Sequence, residues 1–278
     1  QSPQLFKQIL MVSSLDRYFQ IAKCFRDEDL RADRQPEFTQ FDIEMSFVDE
    51  EDIFELSEGL MKKIFKGAAG VDLKTPFPRL KYSEAMARFG CDKPDTRFGM
   101  ELVEITNLVK NSGFKIFHEA IKSCGKIIAI NAKGCGSYSR GQVDELIEFV
   151  KGYGAKGLAN FKVGKSGLAS QIDKFFTKEE LSAIKQALAA DEGDMIFIVA
   201  DTAKTAFDSM ANLRKLLGQR LGLIDEKRFD FLWITDFPLF KYNDEEKRWE
   251  SEHHPFTSCR AEDVALLEKG ASLGSVRS

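Results

Sequence analysis

Two runs of residues combine types and spacings that suit chemistry. The first is Cys24-Phe25-Arg26-Asp27-Glu28, followed after a charged loop by Arg34-Gln35-Pro36-Glu37-Phe38-Thr39-Gln40-Phe41-Asp42-Ile43-Glu44. An arginine presents a rigid fork of donors to a carboxylate or a phosphate, while Asp and Gln suit an ammonium group. Arg26, Gln40, Asp42 and Glu44 therefore form a set fitted to an amino acid or a phosphate ester. The competing reading of Arg26 with Glu28 is a surface ion pair, which contributes little. The second run is His253-His254-Pro255, which holds two of only three histidines. Neighbours on a strand point to opposite faces, so a regular strand does not let both grip one metal ion. Spacing favours one polar or ligand-facing histidine beside one of structural role. Gly154-Ala155-Lys156-Gly157-Leu158-Ala159 is glycine-rich but matches neither a Walker nor a dinucleotide pattern, and tight turns account for it. The basic residues between 204 and 228 read as a solvated helix face.

The elements that must position these groups follow from periodicity. Tyr18–Arg26 and Phe38–Phe47 alternate as strands. Each has a greasy side (Phe19, Ile21 and Phe25; Phe41, Ile43, Met45 and Phe47) and a small or polar side (Gln20, Ala22, Cys24 and Arg26; Phe38, Gln40, Asp42 and Glu44). The loop joining them is about a dozen residues long, where a simple hairpin needs about 2 to 5, and its charge suits it to meet a ligand. A helix over residues 3–12 precedes them, with Leu5, Ile9 and Val12 on one face. A helix over Glu50–Phe65 follows, with Ile53, Leu56, Leu60, Met61 and Ile64 as its apolar stripe. A short helix covers Tyr82–Phe89. From residue 97 to 225 the chain is glycine-rich and mixes strands with helices. Lys126–Asn131, Gly157–Val163 and Met195–Ala200 read as strands; Ser139–Tyr153, Lys178–Ala190 and Ala203–Leu221 read as helices. Ser139-Arg140-Gly141-Gln142 is close to a capping box. Strands are expected again over Phe229–Thr235 and Trp249–Phe256, and a helix over Ala261–Lys269. The organisation that follows is an α+β protein whose first domain is split, with residues 1–94 and 228–278 carrying an insertion over 95–227.

Composition narrows the function classes. The 278 residues are 43% hydrophobic with a formal net charge of -4, so a core is expected and a globally basic nucleic-acid surface is not. Five cysteines, odd in number and without a CxxC pair, read as reduced thiols in a cytoplasmic protein. No apolar run of about 18 residues is present, so no membrane span is expected. Gln1-Ser2-Pro3-Gln4 carries neither an initiator methionine nor a signal peptide, and the chain is expected to begin inside a domain.

Phe25-Arg26-Asp27-Glu28 with Arg34-Gln35-Pro36-Glu37-Phe38-Thr39-Gln40 resembles motif 2 of the class II aminoacyl-tRNA synthetases. The wider string includes Gln1-Ser2-Pro3-Gln4-Leu5-Phe6-Lys7, Asp92-Lys93-Pro94-Asp95, Gly152 to Ala159, Asp236-Phe237-Pro238 and His253-His254-Pro255-Phe256-Thr257. It resembles the bacterial aspartyl-tRNA synthetases. The resemblance implies an antiparallel sheet flanked by helices, interrupted by an α+β insertion called the GAD domain. It implies ATP-dependent activation of L-aspartate, transfer to tRNA, and a homodimer for the complete enzyme. Carried over by position, Arg26 is the catalytic residue, on the α-phosphate and the substrate carboxylate. Gln4, Lys7, Asp42 and His253 complete the aspartate set, and Asp27, Glu28, Gln35 and Phe38 join Arg26 on ATP. Arg31 and Arg34 face the tRNA acceptor end. Motif 1, motif 3 and the anticodon-binding barrel are missing from the string. Mg2+ is thus expected for the complete enzyme, with ligands outside this chain, and the piece alone is expected to be inactive. A different implication comes from the insertion, which also resembles a tRNA-binding module of the amidotransferase B subunit.

Overall fold

The structure, a computed structural model, describes residues 4–27, 34–243, 245–254, 256–268 and 273–278. The chain divides between Phe77 and Pro78 into two compact units.

The first unit holds α1 (Gln4–Val12), β1 (Arg17–Phe25), β2 (Glu37–Met45) and α2 (Glu50–Ala69). β1 and β2 pair antiparallel over their full length, with Gln20 opposite Asp42, Ala22 opposite Gln40 and Cys24 opposite Phe38. Asp49 starts α2 through a capping box with Asp52, and Gly70 ends it in the left-handed region at φ 69°. The elements stand close to where periodicity puts them, and the covered face of the hairpin is its small or polar one. The apolar side of the hairpin is open, with Phe19 68% and Ile21 76% exposed, and so are Leu5, Ile9 and Val12 of α1. The covered side of the hairpin is the one with Cys24, Gln40 and Asp42. In α2 the most buried residue is Glu58, whose carboxylate accepts the Phe77 N–H at 3.0 Å.

The second unit opens with β3 (Arg79–Lys81) and α3 (Tyr82–Phe89). Its centre is a five-stranded antiparallel sheet built from β4 (Leu102–Glu104), β5 (Lys126–Ala132), β6 (Ala159–Gly164), β7 (Gly167–Ala169) and β8 (Met195–Asp201), ordered β4-β5-β8-β6-β7. α4 (Lys115–Lys122) and α6 (Lys178–Ala187) cover one face; α5 (Arg140–Lys151) and α7 (Ala203–Arg220) cover the other. Alternation along β5 and β8 feeds both cores. Ile128, Ile130, Phe197 and Val199 meet α5 and α7, while Ile127, Ala129, Ile196 and Ile198 lie on the side of α4 and α6. Strands buried on both faces read as continuous apolar runs, as Ile127-Ile128-Ala129-Ile130 and Ile196-Phe197-Ile198-Val199 do. The capping box of Ser139 with Gln142 opens α5.

Arg214 of α7 is the polar hub of this unit. It is 3% exposed and donates to the carbonyls of Asp95, Phe98, Gly99 and Met100 at 2.9–3.0 Å. Its guanidinium also lies 4.1 Å from the Phe98 ring centroid. A Cβ at Gly218, one turn along α7, would come within 2.6 Å of that ring. The segment 95–100 is thus seated on α7 by one arginine and one glycine.

β9 (Trp233–Thr235) pairs parallel to β3, and β10 (Phe240–Asn243) pairs antiparallel to β11 (Arg248–Ser251) before α8 (Val264–Glu268). Three expectations change here. Only the last three residues of Phe229–Thr235 are a strand, the three that pair with β3. The strand expected to run to Phe256 stops at Ser251, where pairing with Phe240 ends. Ala261–Lys269 is a 3-10 turn over Ala261–Asp263 followed by the short α8.

Candidate functional site

The register of the hairpin puts Gln20, Ala22, Cys24, Phe38, Gln40, Asp42 and Glu44 on one face, and this is the covered face. At its inner end, α1 delivers Lys7 to two carboxylates. Lys7 Nζ lies 3.1 Å from Asp42 Oδ1 and 3.2 Å from Glu44 Oε2. The Lys7 and Asp42 side chains are only 14% and 13% exposed, so the pair is screened less than a surface ion pair. Burial opposes the charged lysine, but the hydrogen bonds and attraction of Asp42 and Glu44 outweigh it and raise its pKa. The second oxygen of Asp42, Oδ2, is buried without a hydrogen-bond partner among the described residues. A buried carboxylate oxygen in that condition is costly unless a donor arrives.

Toward the loop the same face changes character. The Gln40 carboxamide oxygen is 3.1 Å from Cys24 Sγ. The Arg26 guanidinium lies 5.1 Å from the Phe38 ring centroid, within cation–π range. Its own N–H donates to the Pro36 carbonyl at 2.8 Å, which extends the pairing one step past β1. Arg26 and Asp42 thus face the same side of the hairpin. They are not opposite one another: Asp42 faces Gln20, six positions before Arg26, a span of about 20 Å on a straight strand. The polar face is a track with an acid–lysine cluster at one end and an arginine–aromatic pair at the other.

The other sequence candidates fall as follows. Gln4 is half-buried at the start of α1. Asp27, Arg34 and Gln35 are exposed at the rim of the loop. Glu28 and Arg31 lie outside the described residues. His253 belongs to the second unit and is not on a strand. It is half-buried, with its ring edge-on to Phe237 at 5.5 Å, and its Nε2 is buried without a partner among the described residues. His254 is exposed and accepts the Phe256 N–H at 3.2 Å. The two histidines do differ in environment, but through a turn and not through strand alternation.

Spacing missed two features. Glu44, which alternation already places on the Asp42 face, shares Lys7 with Asp42, and that pairing is not given by spacing. Asp236, at φ 58°, is held by Arg260 Nη1 at 3.1 Å and Arg277 Nη1 at 3.5 Å. Arg277 also binds Asp263 at 2.8 Å and holds that carboxyl below its ordinary pKa. No local sequence pattern ties Arg260 and Arg277 to Asp236. Among the described residues no cluster of three or more His, Cys, Asp or Glu is arranged to hold a metal ion.

Residues 1–273 match the family model for class II tRNA synthetases (D, K and N), and the chain belongs to that family. Its relatives narrow the comparison. It is 55% identical over 96% of its length to an aspartate–tRNA(Asp/Asn) ligase of Geotalea uraniireducens. It is 54% identical over 96% of its length to an aspartate–tRNA ligase of Ruminiclostridium cellulolyticum. The chain spans 45% of the length of each of these two relatives.

Proposed function

We propose that this chain is the motif 2 portion of an aspartate–tRNA ligase. In the first step the carboxylate of aspartate attacks the α-phosphate of ATP, forming aspartyl-adenylate and releasing pyrophosphate. In the second, a hydroxyl of the terminal ribose of tRNA attacks the aspartyl carbonyl and AMP leaves. No covalent enzyme intermediate is needed, so the residues act by positioning and by charge stabilisation.

The observation that carries this reading is the Lys7–Asp42–Glu44 cluster with its unpartnered Asp42 oxygen. An ammonium group supplies the donor that Asp42 Oδ2 lacks. Lys7 has three N–H donors and spends two on the carboxylates, which leaves one for a substrate carboxylate. Gln4 adds an amide beside them. At the far end Arg26 serves the α-phosphate and Phe38 the adenine ring, with Asp27, Glu28 and Gln35 around the nucleotide. The separation along the track suits a long ligand such as an aminoacyl-adenylate, with Arg26 reaching back to the carboxylate. By resemblance His253 is assigned to the aspartate set, and Arg31 and Arg34 to the acceptor end of tRNA. Mg2+ belongs to this reading as a cofactor of the complete enzyme.

The segments 1–94 and 228–278 are read as one catalytic domain and 95–227 as its insertion. The pairing of β3 with β9, both in the second unit, supports the reading of 95–227 as an insertion, since the chain returns to a strand beside the one it left. A homodimer working in the cytoplasm completes the proposal. The test uses the full-length ligase: Arg26→Ala lowers aspartate-dependent exchange of pyrophosphate into ATP by on the order of a thousandfold. Asp42→Ala raises KM for aspartate far more than KM for ATP. Wild-type exchange with Arg26→Ala would refute the assignment.

A further inference from the structure

The five-stranded sheet has a gap in one edge. β7 is three residues long and pairs with only the second half of β6, as Lys162↔Ala169, Val163↔Leu168 and Gly164↔Gly167. Val163 turns its main chain the other way: its N–H donates to the Asp194 carbonyl at 3.0 Å and its carbonyl accepts the Gly193 N–H at 2.9 Å. Alternation then directs the main-chain groups of Lys162 and Asn160 toward the β7 side. β7 starts at Gly167 opposite Gly164 and ends at Ala169 opposite Lys162, so it never reaches Asn160. Among the described residues, no strand flanks Ala159–Phe161 on that side.

This gap opens into a groove of about 540 Å³. Ile116, Ile147 and Ile172 supply apolar surface, and Arg140, Lys156 and Lys162 stand around it against one carboxylate, Asp144. Arg140 and Asp144 approach only to 4.0 Å, and both are largely exposed. Lys162 Nζ donates to the Tyr138 carbonyl at 3.3 Å, which leaves its charge without a counter-ion in that contact. Sheet edges left open are commonly blunted by proline, bulges or a covering loop. Here an open edge, apolar surface for side chains and a surplus of cations coincide.

The geometry points to this groove as a docking site for an extended acidic peptide segment of a partner protein. The peptide adds as a short strand beside Ala159–Phe161 and exchanges main-chain hydrogen bonds with Asn160. Its alternate side chains enter the apolar part of the groove, and its carboxylates meet Lys156, Lys162 and Arg140. An RNA strand would satisfy the cations but not the paired donor and acceptor of a strand edge. The inference uses no residue of the hairpin track, so it is independent of the ligase reading.

The probe is a fluorescein-labelled hexapeptide of alternating Glu and Val, capped at both ends, titrated into the 278-residue chain by anisotropy. An alternating Lys and Val hexapeptide is the control. Saturable binding of the acidic peptide, at least about tenfold tighter than the basic one, is expected. Amide NMR shifts should centre on residues 156–172. Asn160→Ala should bind as the parent does, because the main chain is used. Asn160→Pro, which removes an N–H facing away from β8, should keep the fold and lose about tenfold or more in affinity. Should that variant fail to fold, N-methylation of alternate peptide amides makes the same test on the ligand, with the same loss expected. Lys156→Glu with Lys162→Glu should reverse the preference between the two peptides. Equal binding of both peptides, shifts elsewhere, or full affinity with Asn160→Pro and with the N-methylated peptide would overturn the proposal. So would an oligouridylate that displaces the acidic peptide and binds more tightly, which would assign the groove to RNA.

Discussion

The hairpin of the first unit and the five-stranded sheet of the second are both antiparallel, yet they solve opposite problems. The sheet is closed on both faces: Ile127, Ile128, Ile130, Ile196 and Phe197 are all fully buried. The hairpin keeps its aromatic side open and covers its polar side instead. Two strands alone are marginal in water, whereas three or more with a buried face are not. Cohesion therefore concentrates in the sheet and ionic chemistry in the hairpin. The exposed Phe19, Ile21, Phe25 and Phe41 of β1 and β2 make an apolar surface that favours a cover.

The largest expected effect tests that division directly. Phe197→Ala removes a fully buried ring from β8, on the sheet face that meets α5 and α7, and should cost about 3–5 kcal/mol in chemical unfolding of the second unit. Phe19→Ala removes a ring that is 68% exposed and touches Phe41 at 5.7 Å, and should cost less than about 1 kcal/mol. Equal costs would mean that the open face is covered in solution. Next comes Arg214→Ala, which leaves four carbonyls unpaired around a cavity. A loss of about 3 kcal/mol is expected, with faster amide exchange confined to residues 95–101 and α7. Arg214→Lys should recover only part of it, because an ammonium lacks the fork.

Much of this contrast is readable in the sequence, but unevenly. The runs 127–130 and 196–199 are apolar at every position, and that alone marks strands buried on both sides. Ser139 and Thr177 each precede a glutamine or glutamate by three residues, and both start helices through capping boxes. Alternation also put Arg26, Phe38 and Asp42 on one face of the hairpin. What alternation does not encode is which face is covered, because burial depends on what lies across from it. Nor does local pattern reach contacts between distant segments. Arg214 seats carbonyls more than a hundred residues away, and β3 is three residues whose strand state exists only because β9 lies beside it. The histidine pair shows the same limit: the strand that was to separate them ends at Ser251 when its partner does.

The smallest effects sharpen the comparison because they carry opposite signs with pH. Asp194 is 5% exposed. Burial works against its charge, but the Asn131 amide at 2.9 Å and the N–H groups of Gly134 and Asp191 outweigh it and lower its pKa. A carboxyl lowered on folding stabilises above its unfolded pKa, and that contribution fades as pH falls through the lowered value. Acid should therefore lower exchange protection, relative to the intrinsic amide rate, at residues 131–136 and 191–194, and Asp194→Asn should flatten that response. Lys7 is shifted upward by Asp42 and Glu44 despite partial burial. A lysine raised on folding stabilises fully below its unfolded pKa, and the contribution is lost as pH climbs through the raised value. Alkali, not acid, should then loosen the contact between α1 and the hairpin, read as a loss of exchange protection, relative to the intrinsic amide rate, at residues 4–12 and 40–44 above about pH 10. Lys7→Met should remove the alkaline response and leave the acid response of the sheet untouched. A shared pH profile for the two regions would show that they unfold as one cooperative body, and the assignment of ionic chemistry to one and cohesion to the other would fail.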